Sequence, residues 1–324
     1  MPFQGSIPGD DHRLANVPSQ RLSCRVHRQK TALIGVGLLG GSIGLALKKN
    51  NPDGAVCGYV RRSERIEWME FSGIVDRATA DIAEAVTDSD LIVFCTPVAS
   101  MIDLAEQIKP YIKPGCIVTD VGSVKENLVY ELETIISESN AYFIGSHPMA
   151  GSEKMGAENA RNDLFINALC ILTPGRKTPE KVVKQMQLFW EGLGSRTQVM
   201  NPELHDEWVG KASHLPHLMA AQLVHFVLGS ENSNEIGKIC GAGFKDTTRI
   251  ASGSPEMWKD IVISNRTNLK QSVDEFINKS LELKSLLETG SEKELYQFFE
   301  QAKILRDAWC RQRDKEDDDL HPID

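Results

Sequence analysis

The apolar run Thr31-Ala32-Leu33-Ile34 breaks into glycines at Gly35, Gly37, Gly40 and Gly41, then resumes as a helix-spaced series through Ile43, Leu45, Ala46 and Leu47. Few folds place a strand, a glycine turn and a helix in that order. The spacing G-x-G-x-x-G falls on Gly35, Gly37 and Gly40. Gly35 permits the tight turn, Gly37 lets a pyrophosphate approach the backbone, and Gly40 lets helix and strand pack closely. The unpaired N–H groups at the helix start, around Leu38 and Leu39, then face phosphates. A glycine-rich turn also occurs as a purely structural device, so the flanking strand and helix carry the cofactor reading.

From Lys30 onward, short apolar runs alternate with helical patterns. Strands are expected at 55–60, 91–95, 116–121, 141–145 and 168–172, and helices near 63–72, 99–109, 124–139 and 180–193. Such alternation predicts a mostly parallel sheet with helices on both faces. The strands end at Arg61-Arg62, Thr96-Pro97, Gly122-Ser123 and Ser146-His147-Pro148. Ligands of open α/β sheets bind at the carboxyl ends of strands, so these turns are expected to line one crevice.

Near residue 200 the texture changes to long amphipathic patterns over 203–228, 265–289 and 292–313. Gly290 reads as a C-terminal cap, and Ser291 with Glu294 as a capping box for the last helix. The expected fold class is an α/β Rossmann-type N-terminal domain over 29–200 with an all-α C-terminal dimerisation domain over 201–313. Two domains suit a chain of 324 residues. Apolar helix faces that exceed what one domain covers predict a homodimer; a self-contained bundle core is the alternative. Residues 1–28 lack apolar periodicity and read as a disordered lead-in, and 314–324 as an acidic solvated tail. The net charge of −9 argues against nucleic acid or an anionic membrane as partner. No apolar run approaches the roughly 20 residues of a membrane helix. Scattered cysteines, four of them in strand-like runs (Cys57, Cys95, Cys116, Cys170), suggest buried thiols and a cytoplasmic protein.

An acidic residue about 20 positions beyond the glycines ordinarily binds the adenosine ribose. Here Val60 occupies that position, followed by Arg61, Arg62 and Ser63. Two guanidiniums and a hydroxyl suit a 2′-phosphate, so NADP is favoured and NAD possible. Solvated arginines at a helix start are the plainer reading.

Polar residues cluster after the strands. Ser123 and Lys125 place a hydroxyl and an amine near the expected nicotinamide site. His147 follows a strand and precedes a stiffening proline, which makes it a candidate general base. The second half contributes His205, then His214 and His217, then Arg249 in a Gly- and Thr-rich turn. Arg249 suits a carboxylate, or else an ion pair with Asp246 or Glu256. A metal at His214 and His217 is not expected, because no third ligand accompanies them and Pro216 interrupts the helix between them.

Taken together, five segments resemble the prephenate/arogenate dehydrogenase family: 35–42, Asp120 to Lys125, His147 to Gly151, Ser213 to His217, and Phe244 to Arg249. The resemblance covers about residues 30 to 313. It implies oxidative decarboxylation of a cyclohexadienol, prephenate or arogenate, with hydride transfer to NAD(P) in tyrosine biosynthesis. It also implies a base for the C4 hydroxyl at His147, with Ser123 orienting that ring and the substrate, and a carboxylate clamp at Arg249. His214 and His217 would line the same pocket, along with His205 and Ser152. Glu153, Asp246 and Trp258 would stand at its entrance, Trp258 being a candidate to come from the partner subunit. No chorismate-mutase helix precedes Lys30 and no regulatory domain follows Trp309, so tyrosine feedback is expected at the active site itself.

Two rival readings remain open. Another two-domain Rossmann dehydrogenase, of β-hydroxyacids or imines, would use a catalytic lysine such as Lys211 or Lys245. A non-catalytic dinucleotide-sensing regulator would need no base paired with carboxylate-binding groups.

Overall fold

The computed structural model describes residues 29–151 and 154–318. The expected lead-in at 1–28, Ser152, Glu153 and the last six positions of the expected tail lie outside the described residues. Eight strands, β1 (Lys30–Ile34), β2 (Ala55–Tyr59), β3 (Arg77–Thr79), β4 (Leu91–Phe94), β5 (Ile117–Asp120), β6 (Tyr142–Pro148), β7 (Leu169–Pro174) and β8 (Arg196–Val199), form one sheet. Its order is β3-β2-β1-β4-β5-β6-β7-β8. All neighbours are parallel except β6 and β7. Six helices cover it: α1 (Leu38–Asn50), α2 (Ile66–Phe71), α3 (Ile82–Val86), α4 (Met101–Ile108), α5 (Glu126–Ser137) and α6 (Glu180–Gly192).

The apolar strands read as continuous runs because both faces are covered. Leu33, Val93 and Ile144 pack one face against Ile43 and Trp190. Their chain neighbours Ala32, Ile92 and Phe143 pack the other against Leu128 and Leu132, as the two-residue side-chain period requires. Each fully buried Leu or Ile contributes about 1.5–3 kcal/mol.

Register places the functional turns. Ile34 pairs with both Tyr59 and Phe94, and Phe94 with Asp120, so β2, β1, β4 and β5 end level. The chain leaves β1 towards β2 on one side while β4 flanks it on the other, and the crevice at this switch point receives the turns after them. Residues 146–148, expected as a turn, are strand instead. Antiparallel β7 supplies ladder partners there, His147 opposite Ile171 and Pro148 opposite Cys170. The short elements β3, α3 and β8 were not anticipated; β8, Arg-Thr-Gln-Val on the sheet edge, has no apolar run to reveal it.

In the helical half, α7 (Pro202–Val209), a π-helical turn (Gly210–His214) and α8 (Leu215–Leu228) run on without a break. Pro216 therefore does not interrupt the helix: the wider π turn just before it accommodates a ring that has no N–H to give. The remaining helices are α9 (Ser233–Ile239), α10 (Ala242–Thr248), α11 (Pro255–Ser264), α12 (Arg266–Thr289) and α13 (Glu292–Asp318). The Ser291 hydroxyl accepts from Glu294 N at 3.3 Å while the Glu294 carboxylate accepts from Ser291 N at 2.8 Å, completing the capping box. Helix α13 runs on to Asp318, into the stretch expected as an acidic tail. Large apolar side chains stay exposed along this half, among them Phe226, Leu281, Phe299, Leu305 and Trp309.

Candidate active site

Gly35 adopts φ +96, and a Cβ there would meet Thr96 at 2.8 Å. A Cβ on Gly40 would lie 2.3 Å from the Gly35 carbonyl oxygen, whereas one on Gly37 would meet nothing within 4 Å. The first turn of α1 carries no acidic residue, and its cap Gly37 offers no side chain. Its first helical bond runs from Gly41 N to Gly37 O at 2.8 Å, which leaves the N–H groups of Leu38, Leu39 and Gly40 without helical acceptors. Beside Gly35, the buried Thr96 hydroxyl has no hydrogen-bond partner. Open space over Gly37, free amides and an orphaned hydroxyl together fit a dinucleotide pyrophosphate. Pro97 follows, exposed, its carbonyl accepting from Ser100 N at 3.0 Å.

At the end of β2, Val60 is buried in the core. Arg61, Arg62 and Ser63 are exposed. Among the described residues no side chain pairs with either arginine, whereas Arg65 bonds Glu158 at 3.1 Å and lies over the Trp68 ring.

Four histidines cluster where the end of β6 meets the helical half. His147 on β6 bonds through Nδ1 to Nε2 of His205 on α7, at 2.9 Å. Nδ1 of His205 meets Oδ1 of Asp206 at 2.7 Å. Asp206 also accepts the backbone N–H groups of Lys125 at 2.8 Å and Glu126 at 2.9 Å, so its carboxylate caps α5 from the other half of the chain. His214 ends the π turn; its Nδ1 meets Asn265 Nδ2 at 3.1 Å, and its buried Nε2 makes no full hydrogen bond among the described residues, although the Ser123 backbone lies near enough to favour its protonated form. His217, one helical turn on, stacks on Trp258 with ring centroids 3.4 Å apart.

Burial pushes His147 well below the ordinary histidine value, and the charges of His205, Lys125 and His214 add to the shift. Burial also lowers His205, with Asp206 opposing. His214 is held at about 4, again by burial. All three rings are therefore neutral at pH 7.

Several expected positions fall differently. The Lys125 amine does not face the nicotinamide site: it is fully buried, 2.7 Å from Asp120 Oδ2, and donates to the carbonyl of Gly122 at 2.6 Å. The turn around Ser123 is thereby clamped; among the described residues the Ser123 hydroxyl makes no hydrogen bond to His147, whose Nδ1 meets His205 instead. His205 in turn is wholly buried behind His147. Trp258 stacks on His217 of its own chain; its helix α11 opens at the Ser254 cap, which accepts from Met257 N at 3.3 Å. Arg249 is exposed, and no ion pair with Asp246 or Glu256 forms; Glu256 instead accepts from the Ser254 hydroxyl at 3.1 Å. Its turn (Arg249–Ser252) packs against α8 and leads into Gly253, where a Cβ would lie 3.1 Å from the His217 ring. Asp246 is exposed on α10. Lys211, the rival base, is tied to Glu275 at 3.2 Å on the surface, and Lys245 is exposed. Asp206 and Asn265 had no assigned role in sequence, since their partners lie far away along the chain.

Comparison with known proteins agrees with this arrangement. A family model described as prephenate dehydrogenase, nucleotide-binding domain, matches residues 43–199, and one described as prephenate dehydrogenase, dimerization domain, matches residues 201–301. The prephenate dehydrogenase of Bacillus subtilis is 36% identical over 85% of this chain and 75% of its own length. The cyclohexadienyl dehydrogenase of Zymomonas mobilis is 32% identical over 90% of this chain and 98% of its own length. A crystal structure of prephenate dehydrogenase from A. aeolicus, in complex with hydroxyphenyl propionate and NAD+, superposes with a TM-score of 0.81 at 35% identity, covering 86% of this chain and 97% of that one. With His147 inside the first matched segment and His205, His214 and His217 inside the second, the chain belongs to the prephenate dehydrogenase family.

Proposed function

We propose that the protein is a prephenate or arogenate dehydrogenase, converting prephenate to 4-hydroxyphenylpyruvate or arogenate to tyrosine by oxidative decarboxylation. The observation that carries this reading is His147: neutral, nearly buried, fixed through one ring nitrogen, and with Nε2 free of any described partner beside the dinucleotide crevice. The bound nicotinamide supplies a hydride acceptor for C4 of the substrate ring. His147 Nε2 accepts the proton of the C4 hydroxyl as that carbon is oxidised, a contribution of about 10²–10⁴ in rate. Loss of carbon dioxide then aromatises the ring, its electron pair passing to the C4 oxygen, and His147 returns the proton to that phenolate oxygen. Arg249 binds a substrate carboxylate, and His214 donates from Nε2 to substrate oxygen. Ser123, on the clamped turn after β5, contacts the substrate hydroxyl, with His217 lining the pocket.

NADP is the favoured cofactor in this reading, supported by the unpaired Arg61 and Arg62 and by a valine where a carboxylate would repel a 2′-phosphate. The enzyme acts as a homodimer that covers the apolar faces of α12 and α13; the dimerization-domain match supports this.

A four-way assay tests the assignment, prephenate and arogenate each with NAD and NADP, following the reduced nicotinamide band. One combination is expected to turn over and His147→Asn to abolish it. No reduction in any combination overturns the assignment.

A further inference from the structure

We infer that Asp206 and His205 are positioning residues for the base, holding His147 in the tautomer that carries its proton on Nδ1 and leaves Nε2 bare. The inference rests on the proposed role of His147 and concerns how that role is enforced. Both backbone groups that meet Asp206, the N–H of Lys125 and of Glu126, can only donate, so the Asp206 oxygens face them as acceptors. The third donor to the carboxylate is then Nδ1–H of His205, at 2.7 Å. A neutral His205 with its proton on Nδ1 has a lone pair on Nε2. That lone pair, 2.9 Å from His147 Nδ1, requires a proton on His147 Nδ1. A neutral His147 so held has its remaining lone pair on Nε2, the nitrogen with no described partner.

The arrangement separates His205 from the pocket-lining residues. The ring is 0% exposed and both its nitrogens are spent, one on Asp206 and one on His147, so nothing is left for substrate. It also explains why the pair comes from the helical half. Asp206 is seated on the first turn of α5, so a carboxylate carried by the helical half and fixed against the sheet domain sets the proton on a base carried by that sheet domain. The opposite tautomer would present N–H to the substrate hydroxyl and could accept nothing from it. Where a neighbouring carboxylate sets a histidine tautomer in other enzymes, its loss lowers turnover by as much as about 10⁴-fold.

The test uses ring-¹⁵N histidine labelling of the full-length protein without ligands, with the His147 signals assigned from the spectrum of His147→Asn. Wild type is expected to show His147 as the Nδ1–H tautomer at pH 7.5. His205→Met removes the acceptor while filling the space, and is expected to shift His147 towards Nε2–H. It should also lower kcat at least about 30-fold while KM for the substrate stays within about threefold. His205→Gln, whose amide can accept from His147 and donate to Asp206, should recover most of the rate. An Nε2–H signature for His147 in wild type overturns the inference without any activity measurement. So does a His205→Met enzyme with unchanged kcat, or one that loses only substrate affinity, which would make His205 a substrate contact. If wild type turns over neither substrate, the dehydrogenase reading fails while the spectra still decide the tautomer.

Discussion

Asn265 Nδ2 lies 3.1 Å from Nδ1 of His214 and 2.8 Å from the backbone carbonyl of Asp206. That carbonyl can only accept, which assigns the amide nitrogen and makes His214 Nδ1 an acceptor. His214 therefore carries its proton on Nε2 and offers the pocket a donor, the complement of the bare nitrogen on His147. His214→Phe, which cannot donate, is expected to raise KM for the substrate about tenfold or more, the range of one hydrogen bond to a charged group, with a smaller change in kcat. Asn265→Leu should do the same indirectly and destabilise the fold by about 1–3 kcal/mol, since it orphans a buried carbonyl. Steady-state kinetics and urea midpoints check both; a normal KM in His214→Phe would remove this ring from substrate binding.

The histidine cluster also makes stability depend on acid. Unfolded, these rings titrate near 6.5; folded, burial holds His147, His205 and His214 lower. Below about pH 6.5 the unfolded chain binds more protons than the folded one, so stability falls as pH falls and is insensitive to these groups above about 7. For His214, held at about 4, the loss reaches roughly 3 kcal/mol by that pH. Urea midpoints at pH 7.5, 6.0 and 5.0 should decline in that order and decline less in His214→Phe. Midpoints that stay level down to pH 5 would contradict buried neutral rings.

The sheet was legible because its strands are apolar runs bounded by turns, and the cofactor crevice because glycine spacing reports backbone constraint directly. Gly35 and Gly40 sit at the tight turn and close approach that the pattern implies. The shortest elements escaped: β3, β8 and α3 are too brief for periodicity to register. The histidine cluster was legible as a set of residues but not as a set of bonds. His147 meets His205 across 58 positions, and Asp206 reaches Lys125 across 81. Neither contact has a local signature, so the bond from His205 to His147 could not be read from the sequence. The π turn that carries His214 past Pro216 is likewise invisible to a rule that reads proline as a break.

The glycines separate folding from cofactor binding. At Gly40 an added Cβ meets backbone at 2.3 Å, and backbone cannot move aside without parting α1 from β1. Gly40→Ala is therefore expected to lower the melting temperature by several degrees, the scale of a 1–3 kcal/mol overpacking penalty. At Gly37 the Cβ projects into open space and φ is −97. Gly37→Val should fold normally yet bind cofactor at least about tenfold more weakly, because the branched side chain fills the pyrophosphate path. Thermal melts and cofactor titration by protein fluorescence distinguish the two. Equal cofactor affinity in wild type and Gly37→Val would place the pyrophosphate elsewhere.

The proposed preference for NADP rests on Arg61 and Arg62. Neither has a side-chain partner among the described residues, so a 2′-phosphate would gain the full charge-assisted contact, about 1.5–3 kcal/mol for each bond. The double variant Arg61→Ala/Arg62→Ala removes no described side-chain contact and should fold as wild type. It is expected to raise KM for NADP at least about 30-fold while KM for NAD moves less than about threefold, because the NAD ribose carries no phosphate for a guanidinium to read. The ratio of kcat/KM for the two cofactors, measured with the same substrate, isolates this effect from any general loss of binding. An equal rise for both cofactors would reduce the arginines to general attraction for the dinucleotide, and no rise for either would leave them as solvated surface charge.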